Sequence, residues 1–310
     1  MKQIPIKNSV MLLLAATIWG IAFVAQRVGM DYMGPFTFSA IRFIIGSVIL
    51  IPVMLLLRRV SEVKQRPAGY RKDTILGGLL CGVILCIASN LQQFGLLHTS
   101  VGKTGFITVL YIMFVPLLGL FVGKKVGLSL WVSVGIAVVG MYLLCMTGSL
   151  SLNLGDQLVL VSALVFSFHI LVIDHFSPRG DGVMISSIQF LVSGVLSAVC
   201  ALIFEELPTL DLMLEAWVPL LYAGILSCGV AYTFQILGQK NMNPTVASLI
   251  LSLESVLSVI AAWIILGQEM SPREILGAAL MFAAIILAQI SEGNRVDAPE
   301  KRLARESGNL

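Results

Sequence analysis

The chain has 310 residues, 57% of them hydrophobic and only 12% charged, with a formal net charge of +3. Soluble globular chains carry roughly 25% charged residues, so a mean hydropathy of +0.95 excludes a water-solvated domain and requires lipid as the outer solvent. The positive charges are dispersed, which excludes a nucleic-acid-binding face, and the five cysteines (Cys81, Cys86, Cys145, Cys200 and Cys228) lie in apolar stretches without metal-ligand spacing, as small packing residues.

Crossing a hydrocarbon core takes about 20 apolar residues in a helix. Ten stretches meet that need, in order Val10–Gln26, Pro35–Leu57, Ile75–Leu97, Thr104–Val122, Leu128–Met146, Gly155–Ile173, Val183–Phe204, Trp217–Leu237, Thr245–Leu266 and Ile275–Ile290. Their length excludes barrel strands. The first follows Lys2 and Lys7 and contains AFVA, which looks like a signal-peptide cleavage site, but its apolar run is long for a signal and it has a repeat partner later in the chain, so it is expected to be retained. This span carries Trp19. The second carries Arg42 some seven residues in, where its long stem can snorkel outward or pair inside; a structural or gating role is expected.

Span 3 has a polar band of Asn90, Gln92 and Gln93, and Gly78 and Gly82 in a small-residue packing motif. In span 4, Thr104, Thr108 and Tyr111 share a helix face by their i, i+4, i+7 spacing, and Gly119 and Gly123 repeat the small-residue spacing. Span 6 places Phe166 and His169 on one face. His169 and Asp174 spell H-x4-D, but five residues separate side chains by about 140° on a regular helix, so no acyltransferase pair forms. Span 8 offers Tyr232 and Gln235, and span 9 holds Glu254, the acidic residue set deep in a helix. A charge at the bilayer centre costs about 2.5–3.5 kcal/mol on insertion scales, so Glu254 should face the bundle interior as a solute or proton site, or as a hydrogen-bonded packing residue.

Lys and Arg fix the orientation. With the N-terminus inside, sixteen basic residues fall on the inner side and only Arg27, Lys103 and Arg273 on the outer side, so both termini are expected in the cytoplasm. Residues 291–310 read as a disordered cytoplasmic tail. The chain also matches itself. At a shift of 147, Ala16 aligns with Ala163, Trp19 with Phe166, Ser39 with Ser186, Ile41 with Ile188 and Phe43 with Phe190. At a shift of 143, ASNLQQFG from Ala88 falls on AYTFQILG from Ala231, and Tyr111 falls on Glu254. Residues 10–146 and 155–290 thus form two five-span repeats. Because five is odd, the second must enter from the opposite side, an arrangement suited to alternating access. The sequence therefore predicts an all-α integral membrane protein with ten transmembrane helices in two inverted repeats.

The segments TGFITVLYIMFVPLLGLFVGKK and LILSLESVLSVIAAWIILGQE, with the paired halves, resemble the EamA-type transporters of the drug/metabolite transporter superfamily; FSFHILVIDHF followed by IQF resembles one bacterial subgroup. Where the family pattern has a Pro after the span-9 Glu, this chain has Ser255. The resemblance spans about Val10 to Ile290. It implies a central cavity, spans 5 and 10 at the periphery, and a secondary transporter or facilitator exporting small organic metabolites, such as amino acids or amphipathic compounds, across a bacterial plasma membrane. The expected solute-binding set is Trp19, Asn90, Gln93, Thr108, Tyr111, Phe166, His169, Tyr232, Gln235 and Glu254.

A carrier of phosphorylated or nucleotide-linked solutes is the alternative within the fold, and would need several cationic donors. A membrane-embedded lipid-modifying enzyme is the alternative outside it, and would need a convergent nucleophile or acid–base set. The sequence has no P-loop, HExxH or G-x-S-x-G motif, so neither a cofactor nor a metal is expected. The partners expected are the bilayer and a small-molecule solute, with oligomeric state left open.

Overall fold

The computed structural model describes residues 6–60, 69–99, 101–121, 123, 127–145, 153–266, 271–273, 275–288 and 290. The segment 291–310 and the basic residues Lys2, Lys64, Arg66, Lys124 and Lys125 lie outside the described residues. Helices α1 (Ile6–Gly29), α2 (Pro35–Val60), α3 (Tyr70–His98), α4 (Val101–Thr108), α5 (Tyr111–Phe121), α6 (Leu128–Cys145), α7 (Leu154–Phe176) and α8 (Gly182–Phe204) are followed by the short α9 (Leu210–Glu215) and α10 (Trp217–Leu221). A π-helical segment, Tyr222–Tyr232, then leads into α11 (Thr233–Gln239), α12 (Pro244–Leu251), α13 (Leu253–Leu266) and α14 (Ile275–Ala288). Among the described residues there is no strand, and seven helical stretches are long and apolar enough to cross a membrane, with three shorter apolar helices at Leu128–Leu143, Pro244–Ser258 and Ile275–Ala288. The chain is an all-α, multi-pass integral membrane protein.

The helix starts follow from the sequence. Asn153 and Asp156 cap α7 reciprocally, the Asp156 amide donating to Asn153 Oδ1 at 2.8 Å and the Asn153 amide to Asp156 Oδ2 at 3.1 Å. Asp181 accepts from the Met184 amide at 3.2 Å to start α8, and Asn243 with Pro244 starts α12. Helix α2 is capped from a distance. Its Phe36 and Thr37 amides donate to the two Glu205 carboxylate oxygens at 2.7 and 2.8 Å, and the Thr37 hydroxyl adds a third bond at 2.7 Å.

Three expected spans are not continuous α-helix. Span 4 breaks at Val109 and Leu110, and span 9 at Ser252. At the shift of 143 the last residues before each break, Thr108 and Leu251, are equivalent, as are the acidic and phenolic residues that follow, Glu254 and Tyr111. Serine chemistry accompanies the second break: Ser248, Ser252, Ser255 and Ser258 each donate a hydroxyl hydrogen to the carbonyl three residues earlier, at 2.7–2.9 Å. Such back-bonding competes with the helical ladder and bends it. Span 8 carries the π-helical segment, whose wider turn is a recurrent feature of functional sites.

Close helix contacts use small residues, as membrane packing requires. A Cβ on Gly78 would meet Ile188 Cβ at 2.6 Å, and one on Gly82 would meet Val192 Cβ at 2.7 Å, so this motif seats α3 on α8. Gly123 departs from the packing expectation. It has φ +78° with nothing within 4 Å of its Cβ position, so it is a turn residue needing the left-handed region rather than a contact.

Candidate functional site

Helix α1 crosses α13 at Gly20. A Cβ there would lie 2.8 Å from the Glu254 carbonyl oxygen and 2.9 Å from the Ser258 amide nitrogen, so only glycine lets the two backbones approach and sets Glu254 beside α1. The α4–α5 break turns Tyr111 inward, and its hydroxyl donates to Glu254 Oε1 at 3.3 Å, both residues being buried. On α3, Gln92 Nε2 donates to Thr108 Oγ1 at 2.9 Å. Trp19 packs edge-on against Tyr232, with ring centroids 4.6 Å apart, and its indole N–H reaches the Ser227 carbonyl at 3.3 Å. The Tyr222 hydroxyl donates to the Ile18 carbonyl at 3.0 Å, a second tie between α1 and the π-helical segment.

These residues surround an internal cavity of about 530 Å³ of empty space, counted with its open side. Its aromatic and apolar wall is Trp19, Phe23, Phe166, Ile170, Tyr232 and Leu251. Its polar wall is Gln26, Gln92, Thr108, Tyr111, Ser227 and Gln235, and both signs of ionisable group are present in Arg42 and Glu254. Ten of these fourteen residues fall into five repeat-equivalent pairs: Trp19 with Phe166, Phe23 with Ile170, Gln92 with Gln235, Thr108 with Leu251, and Tyr111 with Glu254.

Seven of the sequence-predicted solute residues meet here: Trp19, Thr108, Tyr111, Phe166, Tyr232, Gln235 and Glu254. Asn90, Gln93 and His169 are buried elsewhere and do not line the cavity. Asn90 donates to the Cys86 carbonyl at 2.8 Å and to Ser197 Oγ at 2.9 Å, tying α3 to α8. Gln93 donates to the Gln26 carbonyl at 3.3 Å, and His169 Nε2 bonds Gln189 Oε1 at 3.0 Å. Arg42 is not at the outer surface; it is 4% exposed, with its guanidinium 4.7 Å from the Phe43 ring centroid. Sequence reasoning passed over Phe23, Gln26, Ile170, Ser227 and Leu251, and took Gln92 as part of a band without choosing it. Repeat equivalence was the available signal for Gln92, as the partner of Gln235.

A model of the EamA-like transporter family matches the chain twice, over residues 7–146 and 153–289. The chain belongs to the EamA-like transporter family. It is similar to an uncharacterized transporter of Archaeoglobus fulgidus, 30% identical over 90% of this chain and 84% of that one. It is also similar to the uncharacterized transporter YoaV of Bacillus subtilis, 26% identical over 87% of this chain and 92% of that one. A solved crystal structure that is 18% identical shares the fold with a TM-score of 0.73, covering 94% of this chain and 98% of the other. EamA membership makes the chain a membrane transporter or facilitator of the drug/metabolite superfamily acting on a small-molecule solute, and not an enzyme. Among the described residues no group of three His, Cys, Asp or Glu is placed to hold a metal.

Proposed function

We propose that the chain is a secondary transporter that exports small organic metabolites, such as amino acids or amphipathic compounds, by exposing this cavity alternately to the two sides of a bacterial plasma membrane. The observation that carries the reading is the repeat pairing of the cavity wall. A wall built from equivalent positions of two halves can be opened to either side by exchanging the halves' conformations.

On this reading the seven long spans and the three shorter apolar helices make ten crossings, in an inverted pair of repeats over residues 10–146 and 155–290. Support comes from the α2–α8 contact. Phe43 and its repeat equivalent Phe190 stack on each other at 6.0 Å with planes 10° apart. Ser47 donates to the Ser187 carbonyl at 3.0 Å on one side, and a Cβ on Gly194 would lie 3.4 Å from the Ala40 carbonyl oxygen on the other. These two contacts exchange under the shift of 147, and numbering rises along α2 as it falls along α8. Antiparallel contact between helices paired by the repeat shift is what a twofold axis in the membrane plane would produce, and it supports that arrangement. The basic bias supports both termini in the cytoplasm.

The broken helices α4–α5 and α12–α13, interrupted at equivalent positions beside the cavity, fit a solute site in a transporter, where irregular backbone is tolerated at membrane depth only against protein or water. A site for phosphorylated solutes fits less well, since Arg42 is the cationic residue lining the cavity and Glu254 would oppose a second negative charge. Purified protein in sealed liposomes, assayed in parallel for metabolite flux and for lipid turnover, tests the reading. Flux of amino acids or amphipathic amines supports it; lipid turnover without flux overturns it.

A further inference from the structure

We infer that Arg42 is the specificity-determining residue of the cavity and takes the carboxylate of a monocarboxylate solute, while Glu254 faces that solute's positive or hydrogen-donating end. This rests on the cavity being the transport site.

The first observation is that Arg42 has no counter-ion among the described residues. It is 4% exposed, lines the cavity, and forms no ion pair or hydrogen bond with any described residue; its Nε is buried without a partner. The ring centroids of Phe43 and Phe38 lie 4.7 and 5.7 Å from the guanidinium carbon. Cation–π contact uses the charge but leaves the N–H donors unspent. A buried cation with free donors is costly unless an anion completes it, and a guanidinium fork matches a carboxylate in bidentate geometry.

The second observation is independent and comes from the repeat. Arg42 is equivalent to Gln189, and Ala22 to His169. In the second half both side chains are neutral and bond each other, His169 Nε2 to Gln189 Oε1 at 3.0 Å, outside the cavity wall, while His169 Nδ1 and Gln189 Nε2 stay buried without a partner. In the first half alanine stands where the partner would be, and the polar member of the pair is a cation that reaches the cavity. The halves therefore differ where a ligand anion would complete the set.

The third is charge balance. Glu254 lines the same cavity, is not within ion-pair distance of Arg42, and among the described residues its side chain accepts only the Tyr111 hydroxyl at 3.3 Å. A single carboxylate satisfies Arg42, and a solute with an ammonium or N–H group at its other end satisfies Glu254. A dianionic phosphate would be opposed by Glu254. The aromatic wall of Trp19, Phe166 and Tyr232 leaves an apolar surface for the rest of the solute.

The test uses matched probes on the full chain, so it does not depend on a variant folding. Thermal unfolding of the purified protein in detergent is followed with L-leucine, L-phenylalanine, propionate and phenylacetate. The comparison probes are the methyl esters of the two amino acids, phenethylamine, and inorganic phosphate. Ligands that bind the folded state raise the midpoint. Carboxylate probes should stabilise wild type, and their esters should need about tenfold to a hundredfold more probe for the same shift, the cost of one charge-assisted hydrogen-bonded pair. Arg42→Gln, which installs the residue of the equivalent position, should bind acid and ester alike, and Arg42→Lys should recover part of the difference.

Equal stabilisation by esters and acids, stabilisation by phosphate in place of the carboxylates, or no stabilisation by any carboxylate probe overturns the assignment. Flux of the same probes in sealed liposomes separates this from the transport reading. Flux of phenethylamine and the esters without preference for carboxylates sinks the role of Arg42 and leaves transport standing. Carboxylate binding that depends on Arg42, without flux of any probe, sinks transport and leaves the role of Arg42 standing.

Discussion

Among the described residues the Glu254 side chain accepts one hydrogen bond, from Tyr111 at 3.3 Å, and Ser258 one turn on spends its hydroxyl hydrogen on the Ser255 carbonyl at 2.8 Å. Its remaining valence belongs to the cavity. Glu254→Gln keeps the shape and removes a titratable group, so the variant should insert and fold like wild type while flux loses its dependence on pH across the neutral range. An unchanged rate and pH profile in liposomes would reduce Glu254 to packing. Tyr111→Phe should leave the pH profile in place and raise the half-saturating solute concentration about tenfold, the scale of one hydrogen bond to a carboxyl group. Kinetics of the two variants on the same solute separate these effects. The acid was legible in the sequence because a lone carboxyl inside an apolar run must face the interior. The placement of Arg42 was not, since seven residues into a helix a long stem can reach either the surface or the interior, and only the packing of α2 against α8 and the π-helical segment decides it.

At the scale of the element, the spans could be read from apolar length, while their interruptions could not. Apolar length records burial in lipid and is blind to how the backbone inside it is hydrogen-bonded. The breaks at Val109–Leu110 and Ser252 are flanked by the cavity-lining Thr108, Tyr111, Leu251 and Glu254, and the π-helical stretch over Tyr222–Tyr232 lines the cavity with Ser227 and Tyr232. Serines at 248, 252, 255 and 258 were a readable hint, one face of hydroxyls competing for carbonyls. The closest backbone approach at the site is the crossing of α1 and α13 at Gly20. Gly20→Ala puts a methyl group against backbone atoms that cannot rotate away, so it should destabilise the protein by about 1–3 kcal/mol. It should also displace Glu254 and lower flux. Thermal unfolding in detergent and flux in liposomes measure the two effects, and a variant with wild-type stability would show that the crossing can slide.

Over the whole molecule, the basic residues crowd one side of the proposed membrane frame. The α7–α8 turn at Pro178 and the loop before α9 at Thr209 should therefore lie on opposite sides, both being exposed. In a background without cysteines, Thr209→Cys should react with impermeant thiol reagents in intact cells, and Pro178→Cys should react only after the cells are opened. The reverse pattern would invert the frame. The double match of the EamA model, over residues 7–146 and 153–289, was legible because polar positions such as Gln92 and Gln235 recur at fixed spacing in otherwise uniform apolar sequence. The cavity itself was legible only in part, since Asn90, Gln93 and His169 find partners on neighbouring helices that no spacing rule reveals.

The cap on α2 bears on how the chain is made. Glu205, which satisfies the Phe36 and Thr37 amides, stands 168 residues beyond Thr37. During synthesis α2 enters the bilayer with open donors at its start, and Gly78 and Gly82 of α3 present a groove with no occupant until α8 emerges. The N-terminal half is therefore an unfinished surface for most of translation, and the fold closes late. A gene cut between the halves should yield an N-terminal fragment that proteases remove when it is made alone. Co-production of the C-terminal fragment should restore it, and Glu205→Ala in that fragment should weaken the rescue. The steady-state level of the N-terminal fragment in the three strains reads this directly; equal levels would mean that each half completes itself.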